Sequence, residues 1–283
     1  MVEKKRTLLG IFAHPDDESF GPGATLARYA AEGVDVHVII ATDGIEGSVE
    51  KSIDLPAHET LAQVRSGELS RAAVALGVAS IWSLPYRDSG MRGSPGNDHP
   101  ASLIQQPLPT LVEEVLGYVD RLQPQVILTH DPFGGYGHPD HVRVCEATTA
   151  AFHIAAARGT NGDQAGPQKL YYTAFDKRIL KWITRLMPLL GHDPTAIGRN
   201  RDINLVEIAT WYTPVNTKIH VEDYLARKER ASLAHASQYS GGPSYVRYLP
   251  QLLRQRMLAN DAYTRAFPAP KGGIETDLFA DII

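Results

Sequence analysis

The chain has 283 residues, enough to bury a sizeable core as one large α/β domain or as a domain with an appended lobe. Its 28 basic and 32 acidic residues leave a net charge of −4, which gives no basis for binding nucleic acid or an anionic membrane surface. The single cysteine, Cys145, excludes an intramolecular disulfide and agrees with a reducing cytoplasm, and no stretch approaches the ~18 apolar residues that a membrane span needs.

Lys4-Lys5-Arg6 followed by an apolar run superficially has the form of a signal peptide. The run is too short and goes straight into His-Pro-Asp-Asp-Glu, so a cytoplasmic protein is expected. Leu8 to Ala13 reads instead as a short buried strand that stops at His14-Pro15, because the residue before a proline is pushed extended and proline cannot continue a ladder. One imidazole and three carboxylates follow in five positions: His14, Asp16, Asp17 and Glu18. Like charges packed so closely need something positive among them, and a divalent cation is the simplest candidate. His14 and Asp17 are three apart, so one turn of chain can aim both at one point.

The periodicity predicts a helix over 21–32, with Pro22 near its start and Gly33 just past its end, and a β-branched strand over 34–41 in which His37 is a strand residue without a catalytic task. Thr42-Asp43-Gly44 turns at that strand's end, where open α/β sheets gather their sites, so Asp43 and Glu46 either line a pocket mouth or form a solvated turn. A helix over 60–76 follows, stopped by Gly77, carrying Arg65 and Glu68 three apart as a potential surface ion pair. Residues 78–84 read as a strand leading to Tyr86-Arg87-Asp88-Ser89-Gly90-Met91, a loop with sugar-binding chemistry or one stapled by its own Arg87–Asp88 contact. Residues 92–109 read as a long loop or lid, and 111–122 as a helix.

Val126 to Thr129 is a strand that delivers a second cluster, His130-Asp131-Pro132-Phe133-Gly134-Gly135-Tyr136-Gly137-His138-Pro139-Asp140-His141. Pro139 fits the first position of a helix reaching about Ala157, Asp140 sits in its first turn, and His138 and His141 can face one side. Such nitrogen and oxygen donors suit zinc, whose catalytic sites take three protein ligands and leave a position for water. One His and one Asp from the first cluster and one His from the second make up that count. Cys145 shares a helix face with His141 and is either a fourth ligand or a small buried thiol.

After a polar linker over 158–168, residues 170–175 read as a strand and 177–190 as an amphipathic, basic helix that packs on the domain or touches a membrane surface. A strand is expected over 217–221 and a helix over 224–239. A helical tail is expected over 246–257, with Pro268 to Gly273 breaking the chain before a docked strand or a loose end. Alternating strands and helices predict an α/β, Rossmann-like fold. A mostly parallel sheet would be flanked by helices, with residues 1–175 as catalytic core and 176–283 as a smaller C-terminal α/β lobe completing the same domain and pocket.

Ala13-His14-Pro15-Asp16-Asp17-Glu18 together with Gly135-Tyr136-Gly137-His138-Pro139-Asp140-His141 resembles the LmbE/PIG-L family of zinc-dependent N-deacetylases, over roughly the first 175 residues. Arg87-Asp88-Ser89-Gly90-Met91 also resembles a segment of the mycothiol-type members, and Leu225, Lys228, Leu233, His235 and Gln238 resemble the family's Lys-rich, Ala-His-x-x-Gln segment, which shapes the pocket wall, forms a subunit contact or is purely structural. The resemblance implies one zinc ion per chain held by His14, Asp17 and His141, with Asp16 as general base. It implies His138, oriented by Asp140 and kept charged, and Tyr136 as partners of the oxyanion. It implies Arg65 and Asp88 as contacts to the substrate, an N-acetylglucosamine-type amino-sugar conjugate, and a homo-oligomer, trimer or hexamer. Neither nucleic acid nor membrane is an expected partner. The rivals are a metal-dependent amidase on another N-acyl substrate, a metal-dependent phosphoesterase, and a non-catalytic sugar- or metal-binding protein. A nicotinamide-binding protein is excluded, because no Gly-x-Gly-x-x-Gly follows the first strand.

Overall fold

A computed structural model of the chain describes residues 5–50, 53–159, 166–175, 178–197, 201–211, 213–239 and 258–282. Strands β1 (Thr7–Phe12), β2 (Asp35–Thr42), β3 (Ser80–Tyr86), β4 (Val126–Thr129) and β5 (Lys169–Ala174) run parallel. Strands β6 (Thr217–His220) and β7 (Asn260–Phe267) are antiparallel additions, β7 pairing with β5 and β6 with β7. The order across the single seven-stranded sheet is β3-β2-β1-β4-β5-β7-β6. The C-terminal part of the chain therefore extends the same sheet as the N-terminal part.

Because successive strand residues point to opposite faces, each central strand feeds two cores. Leu8, Phe12, Val36, Val38, Ile40 and Leu128 pack on one face. There they meet α2 (Gly23–Ala31), α3 (Leu61–Leu76) and α8 (Leu225–Ala234) through residues such as Leu26, Tyr29, Leu69, Leu76 and Ala231. Leu9, Ile11, Ile39 and Ile127 pack on the other face, against α4 (Leu108–Leu122) and α5 (Pro139–Gly159). The one-turn α1 (Asp17–Phe20) lies between β1 and α2, and α6 (Arg178–Leu186) and α7 (Leu205–Thr210) lie between β5 and β6. No helix among the described residues is long and apolar enough to cross a membrane.

The elements begin and end where local chemistry dictates. Thr60 caps α3 in a reciprocal capping box with Gln63, and Gly77 closes it in the left-handed conformation. Residues 92–109, expected as a long loop or lid, are instead stapled down. They form two 3₁₀ turns, Pro95–Asp98 and Leu103–Gln105, with the Asn97 amide donating to Ser89 O at 2.6 Å and Met91 O at 3.1 Å. The helix expected over 224–239 stops at Ala234, and the next residues turn inward. The helix expected over 246–257 lies outside the described residues.

β7 was not expected. Its buried face carries Tyr263 beside Arg265, and a buried arginine breaks the alternation that marks a strand. Glu275 makes that arginine tolerable: it accepts from Arg265 Nη1 at 3.0 Å and from Lys169 Nζ at 2.6 Å. The chain end then docks, with Leu278 and Phe279 completing the core under Tyr29 and the Tyr29 hydroxyl accepting the Leu278 N–H at 2.7 Å. Truncating the fully buried Leu278 to alanine is expected to lower stability by about 2–5 kcal/mol, read as a shift in the urea midpoint.

Candidate metal centre and active site

β1 pairs with β2 on one side and β4 on the other, and this is where the sheet's order reverses. Leu8 lies opposite Val126 and Gly10 opposite Leu128, so the two motifs, more than a hundred residues apart, leave the sheet from neighbouring strand ends. His14 Nδ1 then lies 3.1 Å from His141 Nε2 and 3.5 Å from Asp17 Oδ2, and His141 Nε2 lies 3.4 Å from the same Asp17 oxygen. A tetrahedral ion with bonds of about 2.0–2.1 Å holds its ligand atoms about 3.3 Å apart. The three donors therefore already have the spacing of one face of such a site, and this cluster can hold a metal ion. Three overlapping sets around it also bring their donor atoms close together: His14 with His138 and His141; His14 with Asp88, His138 and Asp140; and Asp17 with His130 and His141.

Protonation within the cluster fits a ligand role. Burial pushes His141 well below the usual imidazole range, leaving a neutral donor. Against the cost of burial, the His141 and His130 rings hold Asp17 well below the usual carboxylate range. Against burial again, Asp88, Asp140 and Asp17 hold the His14 imidazolium well above its usual range, a proton that a bound cation would displace.

Asp16 sits beside this cluster with φ 129°, a left-handed conformation that is rare outside glycine. Its Oδ2 accepts from Arg65 Nη2 at 3.0 Å. Burial pushes its carboxyl up to about 7, with the Asp17 charge adding to the shift and Arg65 opposing it. Arg65 makes no surface pair with Glu68. It is buried, and besides Asp16 it donates to Gly44 O at 2.6 Å and to Pro15 O. Glu68 accepts instead from the Ser237 N–H and hydroxyl, both at 2.7 Å.

His138 differs from expectation. Its Nδ1 accepts the Asp140 backbone N–H at 3.2 Å, and burial and the nearby His14 charge push it down to about 3. It is thus a neutral ring whose proton rides on Nε2. The Asp140 carboxylate does not orient it: Oδ2 accepts the Ser89 N–H at 2.9 Å and lies 3.3 Å from His14 Nε2. Asp88 is likewise drawn inward, with Oδ1 3.3 Å from His14 Nε2 and accepting the Gly90 N–H at 2.8 Å. Tyr136 lies at the rim, its ring 5.8 Å from that of His138 and 5.1 Å from that of His141.

Of these groups His14, Asp16, Arg65, Asp88, Tyr136 and His138 line an open pocket of about 390 Å³, together with Glu46, Met91, Asp202, Ile203 and Gln238. Glu46 pairs with Arg87, which is therefore not stapled to Asp88. Asp43 accepts the Ile45 and Asp88 N–H groups and shapes the turn below. His130 stacks on His141 with centroids 3.8 Å apart, and its Nε2 accepts the Ala13 N–H at 3.0 Å, which takes up that lone pair. Cys145 is buried near Thr149, with burial pushing its thiol up to about 12. It belongs to none of the close donor groups among the described residues.

Sequence reasoning missed a buried pair. Glu18 Oε1 lies 2.7 Å from His235 Nε2, and neither side chain is exposed. Three carboxylates in five positions was a signal that cations must arrive from elsewhere in the chain. Which residues supply them was not readable from spacing.

The family profile described as "PIG-L: GlcNAc-PI de-N-acetylase" matches residues 9–152. The chain is 35% identical to a 1D-myo-inositol 2-acetamido-2-deoxy-alpha-D-glucopyranoside deacetylase of Actinosynnema mirum, over 97% of this chain and 96% of that one. The chain belongs to the PIG-L family. Among solved structures it is similar to the N,N'-diacetylchitobiose deacetylase from Pyrococcus horikoshii, with a TM-score of 0.59 at 19% identity, covering 93% of this chain and 84% of that one. It is also similar to the 4-carboxy-2-hydroxymuconate hydratase from Pseudomonas putida KT2440, with a TM-score of 0.61 at 17% identity, covering 95% and 99%. These two speak to the fold alone. One of them is a hydratase, so likeness of fold does not by itself carry an activity.

Gly134 is the joint that folds the second motif over the first. It has φ +77°, and a Cβ there would meet His138 O at 2.7 Å. Gly134→Ala is expected to cost more than about 1 kcal/mol and to displace His138 and His141. A lowered melting temperature together with reduced metal retention on gel filtration would register both effects.

Proposed function

We propose that the chain is a zinc-dependent hydrolase that removes the N-acetyl group from an N-acetylglucosamine-type amino-sugar conjugate. Given the A. mirum relative, an inositol-linked conjugate is the first candidate. The observation that carries the reading is a carboxyl group with its range raised to near neutrality, Asp16, which lines an open pocket together with His14, one of the three clustered donors. We take His14, Asp17 and His141 as the ligands, because their donor atoms share one spacing. When bound, zinc supplies a nucleophilic water at neutral pH and a Lewis acid for the amide oxygen.

The chain's own residues do the rest. Asp16 takes the proton of the attacking water and returns it to the leaving amine, the two transfers expected of one general acid–base group. Arg65 keeps the Asp16 carboxylate aimed and within the range where it can both accept and donate. His138, neutral and carrying its proton on Nε2, donates to the developing oxyanion, with the Tyr136 hydroxyl as second donor at the rim. Asp140 and Asp88 hold the far nitrogen of His14 and so fix the ring. Asp88, with Glu46 and Gln238, also offers oxygen acceptors toward sugar hydroxyls. Residues 176–283 complete the pocket through Asp202, Ile203 and Gln238. The second reading, an amidase on another N-acyl substrate, uses the same centre and differs only at that part of the pocket wall.

Two measurements test this. Asp17→Asn and His141→Ala should each reduce bound zinc from about one ion per chain to near none by elemental analysis, whereas His138→Ala should keep it. Loss of zinc in His138→Ala with retention in Asp17→Asn would transfer the ligand role to the three-histidine set. Separately, metal-loaded protein incubated with a panel of N-acetylglucosamine conjugates should release free amine, and Asp16→Asn should lower the rate roughly 10²–10⁴-fold. The base works ionised, so kcat/KM falls on the acid side. The limb should lie at or below about pH 7, because a bound cation stabilises the carboxylate further. Absence of amine from every conjugate under zinc-bound conditions would remove the deacetylase reading.

A further inference from the structure

We infer that His235 is a positioning residue for Asp16, acting through Glu18. The inference rests on the reading of Asp16 as the base. Asp16 occupies a backbone conformation, φ 129° and ψ −25°, that a non-glycine residue holds only when its surroundings impose it. What imposes it is visible. The Asp16 N–H donates to Glu18 Oε2 at 3.0 Å, closing the turn from the side chain two residues on. Asp16's own side chain makes no capping bond, which leaves its carboxylate free to face the pocket.

Glu18 is itself fully buried, and a carboxylate there stays in place only while paired. Its other oxygen receives the Ser19 hydroxyl at 2.6 Å and meets His235 Nε2 at 2.7 Å. His235 enters from a part of the chain 217 residues downstream, just past the end of α8. It lies edge-on to Phe20, and its own segment is clamped to α3 by the Ser237–Glu68 contacts. The line of contact runs from α3 through Ser237 and His235 to Glu18, and from Glu18 to the backbone of Asp16. Without His235, Glu18 loses the partner that fixes its Oε1, the Asp16 N–H loses a held acceptor, and the strained turn relaxes. The Asp16 carboxylate then no longer points where the zinc ligands His14 and Asp17 require it, and misplacing a base by about an ångström lowers the rate about 10²-fold.

The test uses two near-isosteric substitutions in the full-length, zinc-loaded protein. In His235→Gln the amide nitrogen stands at the place of Nε2 and still reaches Glu18. In His235→Asn it stands at the place of Nδ1 and does not. His235→Asn should lower kcat roughly 10- to 100-fold, with KM within about threefold and zinc content unchanged. His235→Gln should recover most of kcat. Independently of turnover, the Asp16 amide should exchange its hydrogen faster in His235→Asn than in the wild type by NMR. If both His235 variants fail to fold, Glu18→Asp withdraws the acceptor by one methylene from the other side and should give the same kcat loss and faster exchange. Equal kcat in the Asn and Gln variants, or an Asp16 amide that exchanges at the wild-type rate in His235→Asn, overturns the assignment. A wild-type protein that releases no amine overturns the deacetylase reading instead, and the amide exchange then still decides the link.

Discussion

Asp16, Asp17 and Glu18 follow one another at the tip of β1, and a fold that takes three adjacent carboxylates out of water has to compensate each of them separately. It does so from three directions. Arg65 on α3 reaches Asp16, the rings of His14, His130 and His141 surround Asp17, and His235 beyond α8 meets Glu18. Successive side chains point different ways, so no single cation could serve all three. The helices on one face and the β4–α5 connection on the other are therefore both tied to this short stretch. Charge compensation at the tip of β1 couples the site to the fold more tightly than the apolar cores alone would.

The topology makes such convergence available. Parallel strands end on the same side of the sheet, and the reversal of strand order beside β1 opens a crevice there between the connections to α1 and α5. A motif on β1 and a motif on β4 meet because those strands are hydrogen-bonded neighbours, whatever their separation in sequence. The pocket wall above comes from longer excursions: the stapled 89–105 region, residues 202–203, and Gln238. None of them contributes one of the three donor atoms.

Much of this was legible in the sequence because it is local. Strand ends at His14-Pro15 and Thr129, the start of α5 at Pro139 and the stop of α3 at Gly77 follow from the chemistry of one or two residues. So does the pairing of two His-Pro-Asp motifs into one centre. What was not legible depends on partners distant in sequence. β7 hides because Arg265 faces inward, acceptable only with Glu275 ten residues later and Lys169 nearly a hundred residues before. The 92–109 stretch reads as a lid from its Gly, Pro and Asn content, but Asn97 uses its amide to staple it. Arg65 and Glu68, three apart on one helix, look like a surface pair until each is drawn to a different buried partner.

His138 is the instructive case for chemistry. Its neighbour Asp140 suggests a charged, carboxylate-oriented imidazole, as adjacency in sequence encourages one to assume. In the folded chain the Asp140 carboxylate turns to His14 and to the Ser89 N–H, while its backbone N–H takes the His138 lone pair. The result is a ring that is neutral because it is buried beside another positive ring, yet has a defined tautomer with its proton directed away from the main chain. A neutral donor of this kind could stabilise an oxyanion without adding a fixed charge that would repel a cation held by the neighbouring donors. A protonated His138 would compete with that cation for the same carboxylates. On the proposed function, Asp16 held near neutrality and His138 held below it would have opposite tasks at one pH, one shuttling a proton and the other only lending one.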